Sequence, residues 1–516
     1  MSPLALISVS DKTNIVPFAK KLIEKFDYKI LSSGGTAKHL IEANLPVLKV
    51  SEFTSFPEIL DGRVKTLHPK IHGGILANRS KNNHLEDLGK NGINLIDLVV
   101  VNLYPFEKKI SENCDWDEGI ENIDIGGPTM IRAAAKNHKD VAVLVKHDQY
   151  DLFIEEMNKG KLTASFRTRL AFEAFEHTAC YDVAISNWMS EEKSLEKSYH
   201  IDKYPIIRNL RYGENPHQEA TWVGSREFGW RSSTQLQGKE LSFNNLLDLE
   251  SALATVLEFG YEIKNNSDAN TKAAIILKHN NPCGAALSNS LKNAFQNALE
   301  CDKISAFGGI VAFNNEVDYE TAKLLSDIFL ECVVAPSFNE QARDILKEKK
   351  NLRLIELNNK NLILNKKLTR SIMGGLLLQD NDVKKDNQDE WEYVTQIKPS
   401  KQELKDLIFS WKICKHVKSN AIVIAKNLKT IGIGAGQMNR VGAANIALNA
   451  CNKDSNGAVL ASDGFFPFAD TVEIASKYGI KSIIQPGGSV RDQESIKMCN
   501  TLGISMIFTR KRHFLH

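Results

Sequence analysis

Short apolar runs alternate with amphipathic stretches from the first residues onward. LALISV (4–9), YKILSS (28–33), VLKV (47–50), IDLVVVNLY (96–104) and VAVLVK (141–146) read as strands. KTNIVPFAKKLIEKF (12–26), TAKHLIEANL (36–45) and GPTMIRAAAKN (127–137) read as the helices between them. This switching of period predicts βαβ units around a parallel sheet over residues 4–146. Two more helices are expected over 151–159 and 165–189, and the polar run SEEKSLEKSYHIDKYP (190–205) as a linker. Beyond it AAIILKH, GGIVAF, AIVIAK, IGIGAG, AVLASD, SIIQPG and ISMIFT are strand candidates, enough for two further subdomains, with no visible internal repeat. The Lys/Asn-rich stretch 347–370 reads as a solvated region rather than a nucleic-acid surface, because no aromatics interleave its charges.

Composition narrows the class. At 516 residues, about three or four folding units are expected. Lys+Arg 65 against Asp+Glu 63 gives a net charge of +2, so no global field points to nucleic acid or to an anionic membrane. Eight cysteines without a CxxC pair fit reduced, structural thiols in a cytoplasm. The N-terminus lacks the basic and apolar regions of a signal peptide, and no stretch approaches the ~18 apolar residues of a membrane span.

The candidate chemistry sits in loops at strand ends, where ligands of parallel sheets gather. SVSDKT (8–13) and SSGGTAKH (32–39) each join a strand to a helix, and their hydroxyls, glycines and helix N-termini suit a phosphate. N-capping alone would explain either loop; two on adjacent strands, one with Lys12, favour the anion. GRVKTLHP (62–69) brings two cations, a hydroxyl and an imidazole into one loop, and IDIGGPTMIRAAAKNH (123–138) places Asp124 before a helix with Lys136 expected a turn or two away. An aspartate among lysines can serve as a base tuned by its partners. In LKHNNPCGAA (277–286), Lys278 and His279 would point to opposite sides of a strand, so an irregular turn at Asn-Pro is expected to aim both at one ligand. His217-Gln218-Glu219 and Pro282-Cys283 echo a zinc-deaminase signature, but Ala286 stands where the second thiolate belongs, so zinc chemistry is rejected. IGIGAGQ (431–437) misses a dinucleotide fingerprint by one position.

Taken in order, SVSDKT, SGGTAKHL, GRVKTLHPKIHGGILA, NLYPF, DIGGPTMIRAAAKNH, LRYGENPHQ, KHNNPCG, IGIGAGQ and SDGFFPFAD resemble the bifunctional AICAR transformylase/IMP cyclohydrolase family of purine biosynthesis, from residue 4 to the C-terminal RHFLH. The resemblance implies an α/β chain: an IMP cyclohydrolase domain over 1–195, like methylglyoxal synthase with its parallel sheet, then an AICAR transformylase part over 202–516 of two cytidine-deaminase-like subdomains without zinc. Carried over by motif, Ser10, Lys12, Ser33, Gly35 and Thr36 would hold the 5′-phosphate of the formylated aminoimidazole carboxamide ribonucleotide. Arg63, Lys65, Tyr104, Asp124 and Lys136 would surround the ring-closing atoms that give IMP and water. In the second part His279 would be the base for the AICAR amine, Lys278 would polarise the formyl group of 10-formyltetrahydrofolate or protonate the folate leaving nitrogen, and Asn420 would orient them. Arg211, Tyr212, Asn245, Arg440, Phe465 and Arg512 match substrate contacts. The family further implies folate as co-substrate, no metal, a homodimer and a cytoplasmic location. Two other readings are a phosphate-sensing regulatory module, which would not need KTLHP or DIGGPT, and a non-catalytic nucleotide-binding scaffold, in which Lys65, Lys278 and His279 would be replaceable.

Overall fold

The computed structural model of the chain describes residues 2–112, 114–224, 228–261, 271–362, 367–384 and 386–516. It divides into two compact units, residues 1–203 and 204–516.

In the first unit β1 (Leu4–Val9), β2 (Lys29–Ser32), β3 (Val47–Lys49), β4 (Leu98–Asn102) and β5 (Ala142–Leu144) form one sheet in the order β3-β2-β1-β4-β5. Every pairing is parallel. The strands are apolar throughout because a parallel sheet is covered on both faces. Ile15, Phe18 and Leu22 of helix Ile15–Phe26, Ile71 and Ile75 of helix Pro69–Leu76, and Met130, Ile131 and Ala134 of helix Gly126–Lys136 complete the core. Helix Pro69–Leu76 begins where the loop GRVKTLHP (62–69) ends. Pro69 opens it, and the imidazole of His68 caps it by accepting the Lys70 N–H at 3.1 Å. A helix of 29 residues, Ala164–Glu192, follows where 165–189 is expected.

The second unit opens with an antiparallel ribbon of β6 (Ile206–Leu210) and β7 (Ala220–Val223). A module then follows: β8 (Thr234–Gln237), helix Phe243–Leu257, the hairpin β9 (Lys272–Lys278) and β10 (Asn281–Ser288), helix Leu291–Cys301, β11 (Gly309–Phe313), helix Tyr319–Ser326, β12 (Leu330–Ala335), helix Glu340–Leu346 and β13 (Arg353–Glu356). A hairpin, β14 (Lys367–Ile372) and β15 (Gly375–Asp380), separates it from a second module with the same succession. There β16 (Glu392–Tyr393), helix Lys401–Cys414, the hairpin β17 (Ile422–Lys426) and β18 (Lys429–Gly434), helix Arg440–Ala450, β19 (Val459–Ser462), helix Asp470–Lys477, β20 (Ser482–Gln485), helix Asp492–Leu502 and β21 (Ser505–Phe508) repeat the pattern. The 12-stranded sheet reads β16-β21-β20-β19-β17-β18 and then, in mirrored order, β10-β9-β11-β12-β13-β8. The unit is therefore a duplication joined through antiparallel β10 and β18, an internal repeat the sequence pattern does not reveal. Matching close contacts confirm it: a Cβ on Gly284 of β10 would lie 2.0 Å from the Ala298 carbonyl oxygen, and one on Gly432 of β18, the equivalent position, would lie 2.1 Å from that of Ala447.

The stretch 347–370 is not a solvated region throughout. Leu352, Leu354, Ile355 and Leu357 are buried, because Arg353–Glu356 is the strand that closes the first module; residues 363–366 lie outside the described residues. Nor does Asn-Pro make the turn after Lys278. His279 and Asn280 form it, and Asn281-Pro282 begins β10, followed by a bulge at Cys283. Among the described residues no helix is long and apolar enough to cross a membrane.

Candidate active sites

A pocket of about 640 Å³ opens at the carboxyl ends of β1, β2 and β4 in the first unit. Ser10, Lys12, Ser33, Gly35, Thr36, Arg63, Lys65, Tyr104 and Asp124 all line it. Ser33 precedes helix Gly34–Glu42, and its hydroxyl is buried without a hydrogen-bond partner. An unsatisfied hydroxyl at a helix N-terminus is an arrangement a phosphate completes. The Thr36 hydroxyl is already engaged, donating to the Val9 carbonyl at 2.9 Å and accepting the Val9 N–H at 3.0 Å, so it ties this loop to β1. Asn102, which the motif reading passed over, accepts the N–H groups of Ser10 and Asp11 at 2.6 and 3.0 Å and so fixes the other loop.

Facing this anion cradle, Asp124 Oδ1 accepts the Gly127 N–H at 2.8 Å. A Cβ on Gly127 would come within 2.5 Å of Asp124 Oδ2, so glycine is needed for the carboxylate to lie over the helix start. Burial lifts the Asp124 carboxyl above its ordinary range, and the Gly127 N–H and the Lys65 charge oppose that lift without cancelling it. Such a carboxylate is a better proton acceptor than an exposed one. Arg63 stands on the rim in an ion pair with Glu121, a second pocket residue the motifs did not flag. Lys136 is not brought in. It is the last, exposed residue of helix Gly126–Lys136, about 15 Å of helix rise from the end that carries Asp124. The expectation of a turn or two fails because the helix starts at Gly126 and runs straight away from the pocket.

In the second unit the chemistry-bearing residues meet where the modules join. His279 and Asn280 take left-handed backbone angles, φ 53° and 60°, the two-residue turn that matches strand twist. Lys278 Nζ donates to the carbonyls of Phe307 at 3.0 Å and Gly308 at 2.8 Å, and His279 next to it in the chain is exposed. Asn281 Oδ1 accepts the Lys418 N–H at 3.0 Å, fastening this turn to the segment that carries Asn420. Asn420 Nδ2 in turn donates to the Gln437 carbonyl at 2.7 Å.

Beneath that segment lies Asp463, fully buried and unnoticed as a single residue in the sequence. It accepts the Ser419 hydroxyl at 2.5 Å and the Ala421 N–H at 3.1 Å, and it pairs with Arg440. Its carbonyl accepts the His513 N–H at 3.1 Å, and Ser419 donates its own N–H to Leu515 at 2.8 Å. One residue thus gathers the segment of Asn420 and Arg440 through its carboxylate and the tail bearing Arg512 through its carbonyl. Arg440 itself is buried in that role, while Phe465 and Arg512 reach solvent. Asn245 is buried as well, reciprocally bonded with Ser242 at the start of helix Phe243–Leu257. Arg211 and Tyr212 follow β6; the carbonyl of Glu214 in their loop accepts Asn244 Nδ2 at 3.2 Å, which seats the loop beside Asn245. Cys283, the remnant of the deaminase-like string, donates to the Ile276 carbonyl, and burial pushes its thiol up to about 12.

Residues 14–129 match the MGS-like domain and residues 134–450 match the AICARFT/IMPCHase bienzyme. The chain is 66% identical over 517 residues to the bifunctional purine biosynthesis protein PurH of Prochlorococcus marinus strain MIT 9515, and 67% identical to that of strain MIT 9215, with 100% of both chains covered in each case. PurH of strain NATL1A is 58% identical over 518 residues, again with 100% of both chains covered. A solved structure described as the crystal structure of ForH is 33% identical, covering 36% of this chain and 95% of that one with a TM-score of 0.32. The chain belongs to the AICARFT/IMPCHase bienzyme family and is a bifunctional purine biosynthesis enzyme, an AICAR transformylase and IMP cyclohydrolase.

Proposed function

We propose that the two activities reside in the two units: residues 1–203 close the purine ring, and residues 204–516 transfer the formyl group from 10-formyltetrahydrofolate to AICAR. The observation that carries this division is that each unit holds its own cluster, Lys65 with Asp124 in one and Lys278 with His279 in the other.

In formyl transfer the AICAR amine attacks the formyl carbon. His279 takes the amine proton, the Lys278 ammonium stabilises the oxyanion, and the bond from the formyl carbon to the folate nitrogen breaks as that nitrogen gains a proton. Lys278 has hydrogens to give, since its carbonyl partners leave the third N–H free for substrate. Phe307, 63% exposed and packed against Phe329 at 5.2 Å between ring centroids, offers a flat apolar face for the pterin directly beside Lys278. Arg211 and Arg512 supply cations for the nucleotide phosphate. The modules are read as cytidine-deaminase-like and free of zinc, supported by Ala286 standing where the second thiolate belongs.

In cyclisation the phosphate rests on Ser10, Lys12, Ser33 and Gly35. The carboxamide nitrogen attacks the formyl carbon, Asp124 accepts its proton, and Lys65 and Tyr104 donate toward the oxygen that leaves as water. Because the attack is intramolecular, alignment supplies much of the rate. A homodimer is proposed as well. Every residue of the β14–β15 hairpin is exposed, including Leu368, Ile372, Leu376, Leu377 and Leu378, and a two-stranded ribbon this apolar is not stable bare in water. The enzyme is placed in the cytoplasm, in keeping with its reduced cysteines.

Lys65→Ala tests the division from the cyclohydrolase side. With formyl-AICAR supplied, IMP formation is expected to fall by about 10²-fold or more from loss of the donor, while formyl transfer to AICAR is unchanged. The substitution also removes the charge that draws the Asp124 carboxyl down, so the acid limb of cyclisation moves to higher pH. Loss of both activities in a folded protein would defeat the two-site assignment.

A further inference from the structure

Asp248 of helix Phe243–Leu257 lies under the Lys278–His279 turn, and its Oδ1 accepts the Asn280 N–H at 2.7 Å. The duplication provides an internal comparison. In the second module the turn is Asn427–Leu428, again left-handed at φ 54° and 57°, and Lys426 before it again donates to carbonyls, those of Asp454 and Asn456. The residue under that turn is Asp406, at the corresponding place in helix Lys401–Cys414. Both of its oxygens are engaged by the turn, Oδ2 accepting the Asn427 N–H at 3.0 Å and Oδ1 the Leu428 N–H at 2.7 Å. The carboxylate is therefore an inherited clamp on a two-residue hairpin.

Side-chain amides also reach Oδ1 in both copies, Asn280 at Asp248 and Gln402 at Asp406, but in the bonds from the turn's own backbone the two copies differ at one. The counterpart of Asn427 is His279, and its N–H makes no bond to Asp248, so Oδ2 of Asp248 accepts no hydrogen bond among the described residues. The module with the imidazole on its turn has a half-unoccupied carboxylate beside it; the module with an amide there does not. Asp248 is half-buried, and burial lifts its carboxyl above the ordinary range, while the Asn280 N–H and the neighbouring His279 and Lys278 side chains oppose that lift.

We propose that Asp248 is the positioning residue of the transformylase: its unengaged Oδ2 receives a ring N–H of His279 once substrate fills the site, leaving the other ring nitrogen unprotonated toward the AICAR amine. A carboxylate behind an imidazole fixes the tautomer and steadies the imidazolium that forms when the base takes its proton. The inference rests on the reading of His279 as base.

Asp248→Asn keeps an oxygen for the Asn280 N–H and replaces the second acceptor with a donor, so the clamp survives and the imidazole loses its partner. Formyl-transfer kcat is expected to fall at least about tenfold, short of the ~10⁴ seen for a buried triad aspartate because this turn is open to water. KM for AICAR and for the folate stays within about threefold, cyclisation is unchanged, and adding Asp248→Asn to His279→Asn costs nothing further, as members of one unit behave. Asp406→Asn, which alters the clamp that faces no imidazole, lowers Tm without lowering kcat. An unchanged kcat in Asp248→Asn, or an equal loss in the presence and absence of His279, overturns the proposal and leaves Asp248 a clamp alone. If His279→Asn by itself retains formyl transfer, the reading of His279 as base fails first, and this inference falls with it by a separately visible route.

Discussion

His279→Asn is expected to lose formyl transfer by about 10²- to 10⁴-fold, the contribution of a positioned general base, which corresponds to about 3–5 kcal/mol of transition-state stabilisation. Cyclisation of supplied formyl-AICAR is expected to stay at the wild-type rate. Asparagine is the informative replacement because the fold already uses it. His279 occupies a left-handed position, φ 53°, and its counterpart in the second module is Asn427 at φ 54°. Alanine there would keep the left-handed Cβ strain that histidine already bears, whereas asparagine tolerates the conformation. His279 is exposed and packs against nothing that its loss would leave empty. Any fall in formyl transfer then reports chemistry rather than folding, and an unchanged Tm with a collapsed kcat is the pattern to be found. Retention of formyl transfer would remove His279 from the mechanism.

Asp124→Asn is expected to separate activity from stability in the first unit. IMP formation falls by about 10²- to 10⁴-fold, since the amide cannot take the carboxamide proton, while Tm holds or rises. The sign follows from the carboxyl's upward shift. The folded state binds the Asp124 proton more tightly than the unfolded chain does, so the charged form is a cost to folding at neutral pH, a cost relieved as pH falls through the raised pKa. Asparagine removes that cost and can still accept the Gly127 N–H through Oδ1. In the wild-type enzyme the same shift makes cyclisation fall on acidification at a pH above the usual carboxylate range. A pH–rate profile of IMP formation from formyl-AICAR, beside a melting curve, checks both parts. A destabilised variant would mean that Asp124 is held for structure.

The strands and loops of the first unit were legible because burial on both faces of a parallel sheet writes continuous apolar runs, and ligand loops follow them at fixed ends. Nearness in sequence does not bring Lys136 to Asp124, because the helix that starts at Gly126 ends at Lys136, on the far side of its rise. The duplication was not legible. What the modules share is backbone geometry, a left-handed pair clamped by an aspartate, and that geometry is met by His279–Asn280 over Asp248 and equally by Asn427–Leu428 over Asp406. Asp463 escaped notice for a related reason: nothing distinguishes a carboxylate at a strand end from a capping residue until Ser419, Ala421, Arg440 and the tail are seen to converge on it. Single motifs pointed to phosphate and to proton transfer, but the pairing of two reactions came from the ordered set of motifs and from the family.

The most direct test of one polypeptide carrying both sites is to mix the purified protein with AICAR and 10-formyltetrahydrofolate and identify the products by chromatography. IMP and tetrahydrofolate appearing in equal amounts is the expected result. Formyl-AICAR accumulating without IMP, or AICAR bound but not consumed, would contradict it.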